Sequence, residues 1–306
     1  MTEQLKPKAF RSKLNQMKLF DYLIAAFMTA FCISIVFPFW DMFTLSLTPT
    51  TLINTLVIHL WPEKTSWENY AFILRNSKLI NAFGISVFRT VAGMAVHIIV
   101  ICLAAYPLSK RKMPYRSILV VIFLIPMFFG GGLIPSFLIN KALGLRNNLL
   151  VYILPSAFSM YNCVIVRNYF MSIDPALEES AHIDGASIPR ILFNIIIPLS
   201  KPVLATVALW TMVGQWNSWF DAMIYMSDEK LIPIQLILRR LLSNISELSG
   251  EMRDYAMKDP NNTLLKVSTK GVQAAMTIMT ITPIICVYPF IQKYFVKGIM
   301  LGSVKG

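Results

Sequence analysis

Apolar residues run along this chain in long, nearly unbroken stretches, without the alternation of a half-buried strand. A bilayer core needs about 20 consecutive apolar residues per helix. On that measure the pattern predicts six spans, near Phe20–Ser46, Ile80–Leu108, Ser117–Ile139, Leu149–Val166, Leu199–Tyr225 and Gly271–Val296. The expected fold class is an all-α membrane protein with six transmembrane helices. The third span is the least regular, because Gly130, Gly131, Gly132 and Pro135 should break its outer end. The fourth is short and contains Pro155. No heptads or internal repeats stand out.

Six spans put both termini on one side. Basic residues in short loops mark the cytoplasmic face. Loop 109–116 carries four and loop 140–148 two, which favours cytoplasmic N- and C-termini. The division that follows is a cytoplasmic tail at 1–19, a membrane domain at 20–298 and a cytoplasmic tail at 299–306. Within the membrane domain, segment 172–198 is cytoplasmic and loop 226–270 lies outside. About 19 polar and basic residues precede the first apolar run, and no A-x-A site follows it, so no cleaved signal peptide is expected. Loop 226–270 holds an amphipathic stretch, Leu231–Leu242. A docking surface and a passive surface hairpin fit its composition equally. Asn244-Ile245-Ser246 and Asn261-Asn262-Thr263 match the glycosylation pattern, but such short matches are mostly chance.

Composition agrees with the spans. Of 306 residues, 56% are hydrophobic and only 14% charged. Soluble domains run near 25% charged, so a water-soluble enzyme and a disordered chain are both excluded. The net charge of +12 could suggest nucleic acid. The basic residues instead sit in short clusters between apolar runs, such as Lys110-Arg111-Lys112, as membrane anchors do. No nucleic-acid partner is expected, and membrane lipid is. Cys32, Cys102, Cys163 and Cys286 each lie inside an apolar run, read as core thiols, and form no metal-ligand spacing.

The segment between spans four and five carries the chemistry. It reads RNYFMSIDPALEESAHIDGASIPRILFNIIIPLSK over 167–201. Asp174 suits an N-cap and Pro175 a first helical turn. A helix should run from Ala176 to about Ile183, with a turn at Asp184-Gly185 and a second helical stretch over Ser187–Ile196. Three readings compete for Glu178, Glu179, His182 and Asp184: a metal or acid/base site, a solvated helix face, and a docking knob for a cytoplasmic protein.

The string Glu179-Ser180-Ala181-x3-Gly185-x9-Ile195-x-Ile197-Pro198 resembles the EAA loop of ABC importer permeases, EAA-x3-G-x9-I-x-L-P. Ser180 replaces the first Ala and Ile197 the Leu, both mildly. Further stretches are similar to the carbohydrate-uptake branch. They are Asp184-Gly185-Ala186, the run from Pro198 to Thr206, Gly214-Gln215-Trp216-Asn217-Ser218-Trp219-Phe220 and Gly131-Gly132-Leu133-Ile134-Pro135. Over roughly residues 15–306 the chain resembles permeases of the LplC/YtcP type, related to the maltose transporter pair.

The resemblance implies a type I importer permease fold of the MetI-like kind. It implies that Glu179, Ser180, Ala181, Asp184 and Gly185 contact an ATPase subunit through a coupling helix, with Ile195 and Pro198 completing the motif. It implies a second homologous permease, two ATPase subunits and an extracytoplasmic solute-binding protein in a bacterial cell membrane. Loops 47–79 and 226–270 would meet that binding protein. The chain has no GxxxxGK[ST] loop, so it is expected not to be an enzyme. It would bind no cofactor itself, with ATP and Mg2+ on the partner.

Sugars are held by aromatic faces and by side chains that hydrogen-bond hydroxyls. Gln215, Trp216, Asn217, Trp219 and Asp221 offer both in the outer half of span five, with Asn217 and Asp221 at i, i+4 on one helix face. Interfacial anchoring also explains Trp219, and helix–helix hydrogen bonding Asn217. Arg89 lies within span two, with His97 two turns deeper. Arg89 could meet the carboxylate of an acidic sugar, cap backbone carbonyls or pair with Asp221. The expected function is import of sugars, chiefly oligosaccharides and acidic, pectin-type ones among them. The alternatives are an importer of another solute and a self-contained secondary transporter. The latter would need repeats or an ion site that the sequence does not display. A membrane-embedded enzyme would need clustered polar residues in the spans, and only Arg89, His97 and Asp221 are offered.

Overall fold

The computed structural model describes residues 19–49, 52, 60–62, 64–243 and 269–303. Among these the chain is helical, with no strand. In chain order the helices are α1 (Leu19–Ser46), α2 (Glu68–Arg75), α3 (Ser77–Ser109), α4 (Arg116–Phe128), α5 (Leu133–Ala142) and α6 (Met160–Ser172). They continue as α7 (Pro175–Ile183), α8 (Ile188–Leu199), α9 (Lys201–Asn217), α10 (Phe220–Tyr225), α11 (Ile234–Ser243) and α12 (Thr269–Ser303).

The long helix α3 is the centre of the bundle. It packs against α6 and α9, and also touches α2 and α11. Its buried face carries Ala82, Ser86, Gly93 and Ala105, small side chains that let neighbouring backbones approach closely. Helix α12 packs against α1 and α9. The apolar stretch of α1 buries no residue, nor do α4 and α5. Lipid tails are as apolar as leucine, so such surfaces are not penalised in a membrane. Cys102 and Cys163 are buried as expected of core thiols, whereas Cys32 and Cys286 face outward from α1 and α12.

Among the described residues, helices α1, α3 and α12 are long and apolar enough to cross a membrane singly, and two bent pairs raise the number to five if each is one span. The other expected spans are broken, each for a local reason. In the third, the glycine run does interrupt the helix, but the chain then turns by 114° into α5, which continues to Ala142. Gly132 has φ 81°, a conformation that a side chain would oppose. In the fourth, a single 3₁₀ turn at Leu149–Tyr152 is separated from α6 by Pro155, which disfavours helix at the residue before it. Helix α6 then outlasts the expected end and reaches Ser172. Its 13 residues reach only about 20 Å.

The fifth expected span is divided twice. Helix α8 meets α9 at Ser200 with a bend of 82°. Pro198 has no N–H for the carbonyl four residues earlier. The ladder widens just before it into a π turn over Leu192–Ile196, where Ile197 N donates to Leu192 O. The second helical stretch of the loop therefore runs on to Leu199 instead of stopping at Ile196. A second break at Ser218 and Trp219 separates α9 from α10. Asn217 and Asp221 therefore do not share a helix face. Helix α12 extends to Ser303, so residues 299–303 are helical.

The amphipathic stretch of loop 226–270 forms α11. Ile234, Leu238 and Leu241 pack with Phe72 and Ile73 of α2, Leu79 of α3 and Met276 of α12. Arg239 and Arg240 face outward. The two glycosylation-like triplets and the tails at 1–18 and 304–306 lie outside the described residues.

Candidate functional site

Two polar assemblies lie along α3, one at its C-terminal end and one near its middle. At the end stands α7, a helix capped on both sides by its own sequence. Ala176 N donates to Asp174 Oδ1 at 3.0 Å, and Pro175 occupies the first turn. At the other end Gly185 adopts φ 74°. Its N–H donates to His182 O at 3.0 Å and that of Ala186 to Ala181 O at 2.9 Å. This paired closure satisfies the last carbonyls and needs a left-handed residue where Gly185 stands.

The helical period sorts the side chains of α7. Ala181 is buried and packs into the core with Ile191 and Phe170. Its side chain therefore faces the bundle and not the outer surface of α7. Glu178 also turns inward, to Lys110 Nζ and Tyr106 OH, the latter at 3.2 Å. Glu179, Ser180, Ile183, Asp184 and Gly185 are exposed, Ile183 at 87%. No described residue forms an ion pair with Glu179. With Glu178 committed inward and the other carboxylates outward, no metal-sized acidic or histidine group forms among the described residues. In the following arm, Ile195 is half-buried and Pro198 exposed.

The second assembly lines a cavity of about 470 Å³ between α3, α5, α9, α10 and the segment before α6. Arg89 is 1% exposed. Its Nη1 and Nη2 donate to the two oxygens of Asp221 at 3.2 and 2.5 Å. Its Nε and Nη2 donate to Gln215 Oε1, and Nη1 to Ser218 O. The guanidinium also stands 4.2 Å from the Tyr152 ring centroid. Gln215 Nε2 donates to Ser156 Oγ and Tyr152 O. His97 Nδ1 lies 2.9 Å from Ser156 O, and Asn162 Nδ2 lies 2.9 Å from His97 Nε2. Both ring nitrogens of His97 are thus engaged, one by a backbone carbonyl and the other by the Asn162 amide.

Of the six path candidates, Arg89, Gln215 and Asp221 line this cavity. Trp216 does not: it is buried on the other side of α9, donating to Thr280 O at 2.9 Å and edge-on to Phe83. Asn217 is exposed and bonds to Val213 O and Gln235. Trp219 lies under Arg239, 5.0 Å from the guanidinium carbon. Tyr152, Ser156 and Asn162 also line the cavity, and sequence inspection missed them. Their signal was available, since polar side chains inside an apolar run are costly unless paired or facing a cavity. The Lys110–Glu178 pair, 68 positions apart, left no signal in the sequence.

Fold and site together define a helical membrane protein of the permease class, with an open pocket holding a polar network along α3 and a capped helix exposed at one end. The chain belongs to the family of binding-protein-dependent transport system inner membrane components, which matches residues 97–300. It is 36% identical over 289 residues to the polygalacturonan/rhamnogalacturonan transport system permease protein YtcP of Bacillus subtilis (strain 168), covering 94% of this chain and 99% of that one. Protein LplC of the same organism is 36% identical over 249 residues, covering 81% of each chain. Among solved structures, a chain of a bacterial ABC transporter involved in the import of the acidic polysaccharide alginate superposes with a TM-score of 0.80 at 31% identity. That match covers 90% of this chain and 96% of the other.

Proposed function

We propose that the chain is one of two homologous permease subunits of an ATP-driven importer for oligosaccharides, acidic ones included, in a bacterial cell membrane. The observation that carries this is α7, held between longer helices and presenting an outer face whose carboxylate, Glu179, is uncommitted. Glu179, Ser180, Ile183, Asp184 and Gly185 dock on an ATPase subunit, while Ile195 and Pro198 shape the arm behind them. Two such subunits bind ATP and Mg2+, which this chain cannot do without a phosphate loop of its own. Both termini are cytoplasmic. An extracytoplasmic binding protein delivers the sugar at the opposite end, beside α11. The cavity of Arg89, Gln215 and Asp221 forms part of the path. Acidic oligosaccharides follow from the names of the relatives, polygalacturonan/rhamnogalacturonan and alginate.

Gentle extraction of the tagged chain from its native membrane, with mass spectrometry of what accompanies it, tests the assembly. The expected result is a second permease and a phosphate-loop ATPase, the latter lost in Glu179→Arg. A chain recovered alone that moves solute in vesicles without ATP overturns the proposal.

A further inference from the structure

The C-terminal end of α3 is gripped from three sides. Arg116, at the start of α4, donates its Nε to Leu108 O at 2.9 Å. Arg167 of α6 donates its Nε to the same carbonyl at 2.8 Å. Cations at a helix C-terminus are favoured by its dipole, and here they also satisfy a carbonyl with no helical partner. The third grip differs, because it is made by a residue of α7. Lys110, the cap residue of α3, pairs with Glu178, and its Nζ stands 4.1 Å from the ring centroid of Tyr106. Tyr106 OH donates to the same carboxylate. The pair is sheltered, with 35% of the Lys110 side chain and 16% of the Glu178 side chain exposed.

From its cap residue Lys110, α3 runs back through Pro107 as one helix to Arg89, about 30 Å away along the axis at 1.5 Å per residue. Arg89 in turn holds Asp221 on α10. Helix α7 has two covalent connections, through α6 and through α8. The α8 route passes a π turn and the 82° bend at Ser200. At a widened turn and a sharp bend the helix departs from a straight rod, so displacement along one arm does not run along the axis of the other. The α3 route has no π turn and no such bend, and its one proline, Pro107, sits in the last turn beside Lys110.

We propose that the Lys110–Glu178 pair is the link that carries displacement of α7 into α3 and so to the Arg89–Asp221 pair across the cavity. Glu178 is then a positioning residue that acts through α3, distinct from the outward face on which α7 docks. This rests on the docking of α7 to an ATPase proposed above.

The test uses the complete importer, with both permeases, the ATPase subunits and the binding protein, in proteoliposomes with trigalacturonate as probe. Uptake and ATP hydrolysis are read together. Glu178→Gln and Lys110→Met should each lower uptake per ATP about tenfold, while the ATPase still co-purifies and hydrolyses. The exchanged pair, Glu178→Lys with Lys110→Glu, should restore most of that ratio. If the pair only stabilised the fold, the single variants would lower the amount of assembled importer and leave uptake per ATP unchanged. The proposal is overturned if uptake per ATP stays at the wild-type value in the single variants. It is overturned equally if both fall together with the amount of assembled protein and the exchange rescues nothing. If the wild-type assembly itself does not couple hydrolysis to uptake, the importer function fails instead.

Discussion

Gly93 of α3 is pressed against the side-chain amide of Gln215 on α9: a Cβ at position 93 would lie 2.9 Å from Gln215 Nε2 and 3.0 Å from its Cδ. That amide joins Arg89 to Ser156 and Tyr152. The absence of a side chain at 93 is therefore a condition of the polar network.

Gly93→Ala should displace Gln215 and leave buried partners unpaired. The expected loss is about 1–3 kcal/mol per unsatisfied group, read as a lower Tm in detergent. Gly84→Ala, in the same helix, is the control. Nothing lies within 4 Å of a Cβ there, so its Tm should hold or rise.

Trp216 and Gln215 are neighbours in sequence with opposite destinations. The Trp216 ring is buried against Phe83 and its N–H is satisfied by Thr280. Trp216→Ala should destabilise by about 3–5 kcal/mol. Whatever protein survives should retain its sugar preference, measured as competition between neutral and acidic oligosaccharides. A changed preference would place the ring on the path after all.

These two positions show what the amino-acid sequence made legible. The apolar runs revealed where helices lie, and α7 was visible in detail because its signals are local: Asp174, Pro175 and Gly185 act on backbone within a few residues of themselves. The breaks at Ser200 and Ser218 were not visible, because the apolar run continues across both and Asn217 and Asp221 read as i, i+4 neighbours of one helix. The pairing of Arg89 stood open among three partners. Burial decided it, since a guanidinium that is 1% exposed needs a charge within reach, and Asp221 lies on the neighbouring α10. Lys110 and Glu178 are joined only by tertiary packing.

The Arg89–Asp221 pair makes a prediction in which stability and transport separate. Removing one partner from a buried pair costs about 3–5 kcal/mol, because the other charge stays behind, whereas replacing both by apolar groups is often neutral. Asp221 is 26% exposed on its side chain, which places the expected loss for Asp221→Ala toward the lower figure. The double variant Arg89→Met, Asp221→Leu should recover most of the Tm but not the uptake. Recovery of both would show that the pair serves folding alone.

Gly185 tests the outer end of α7. With φ at 74°, any residue with a side chain pays for the left-handed conformation. The cost is roughly 1–2 kcal/mol and is smaller for Asn, which enters that region more readily. Gly185→Asn should therefore keep nearly normal capture of the ATPase, Gly185→Ala should weaken it, and Gly185→Val should weaken it most. Global Tm should change little, because Gly185 is exposed and nothing lies within 4 Å of a Cβ at this position. Capture measured by co-purification, ranked Asn above Ala above Val, would show that the closed end of α7 is what the partner recognises. Equal capture by all three would mean that the partner grips the helix nearer Glu179 and tolerates a frayed end.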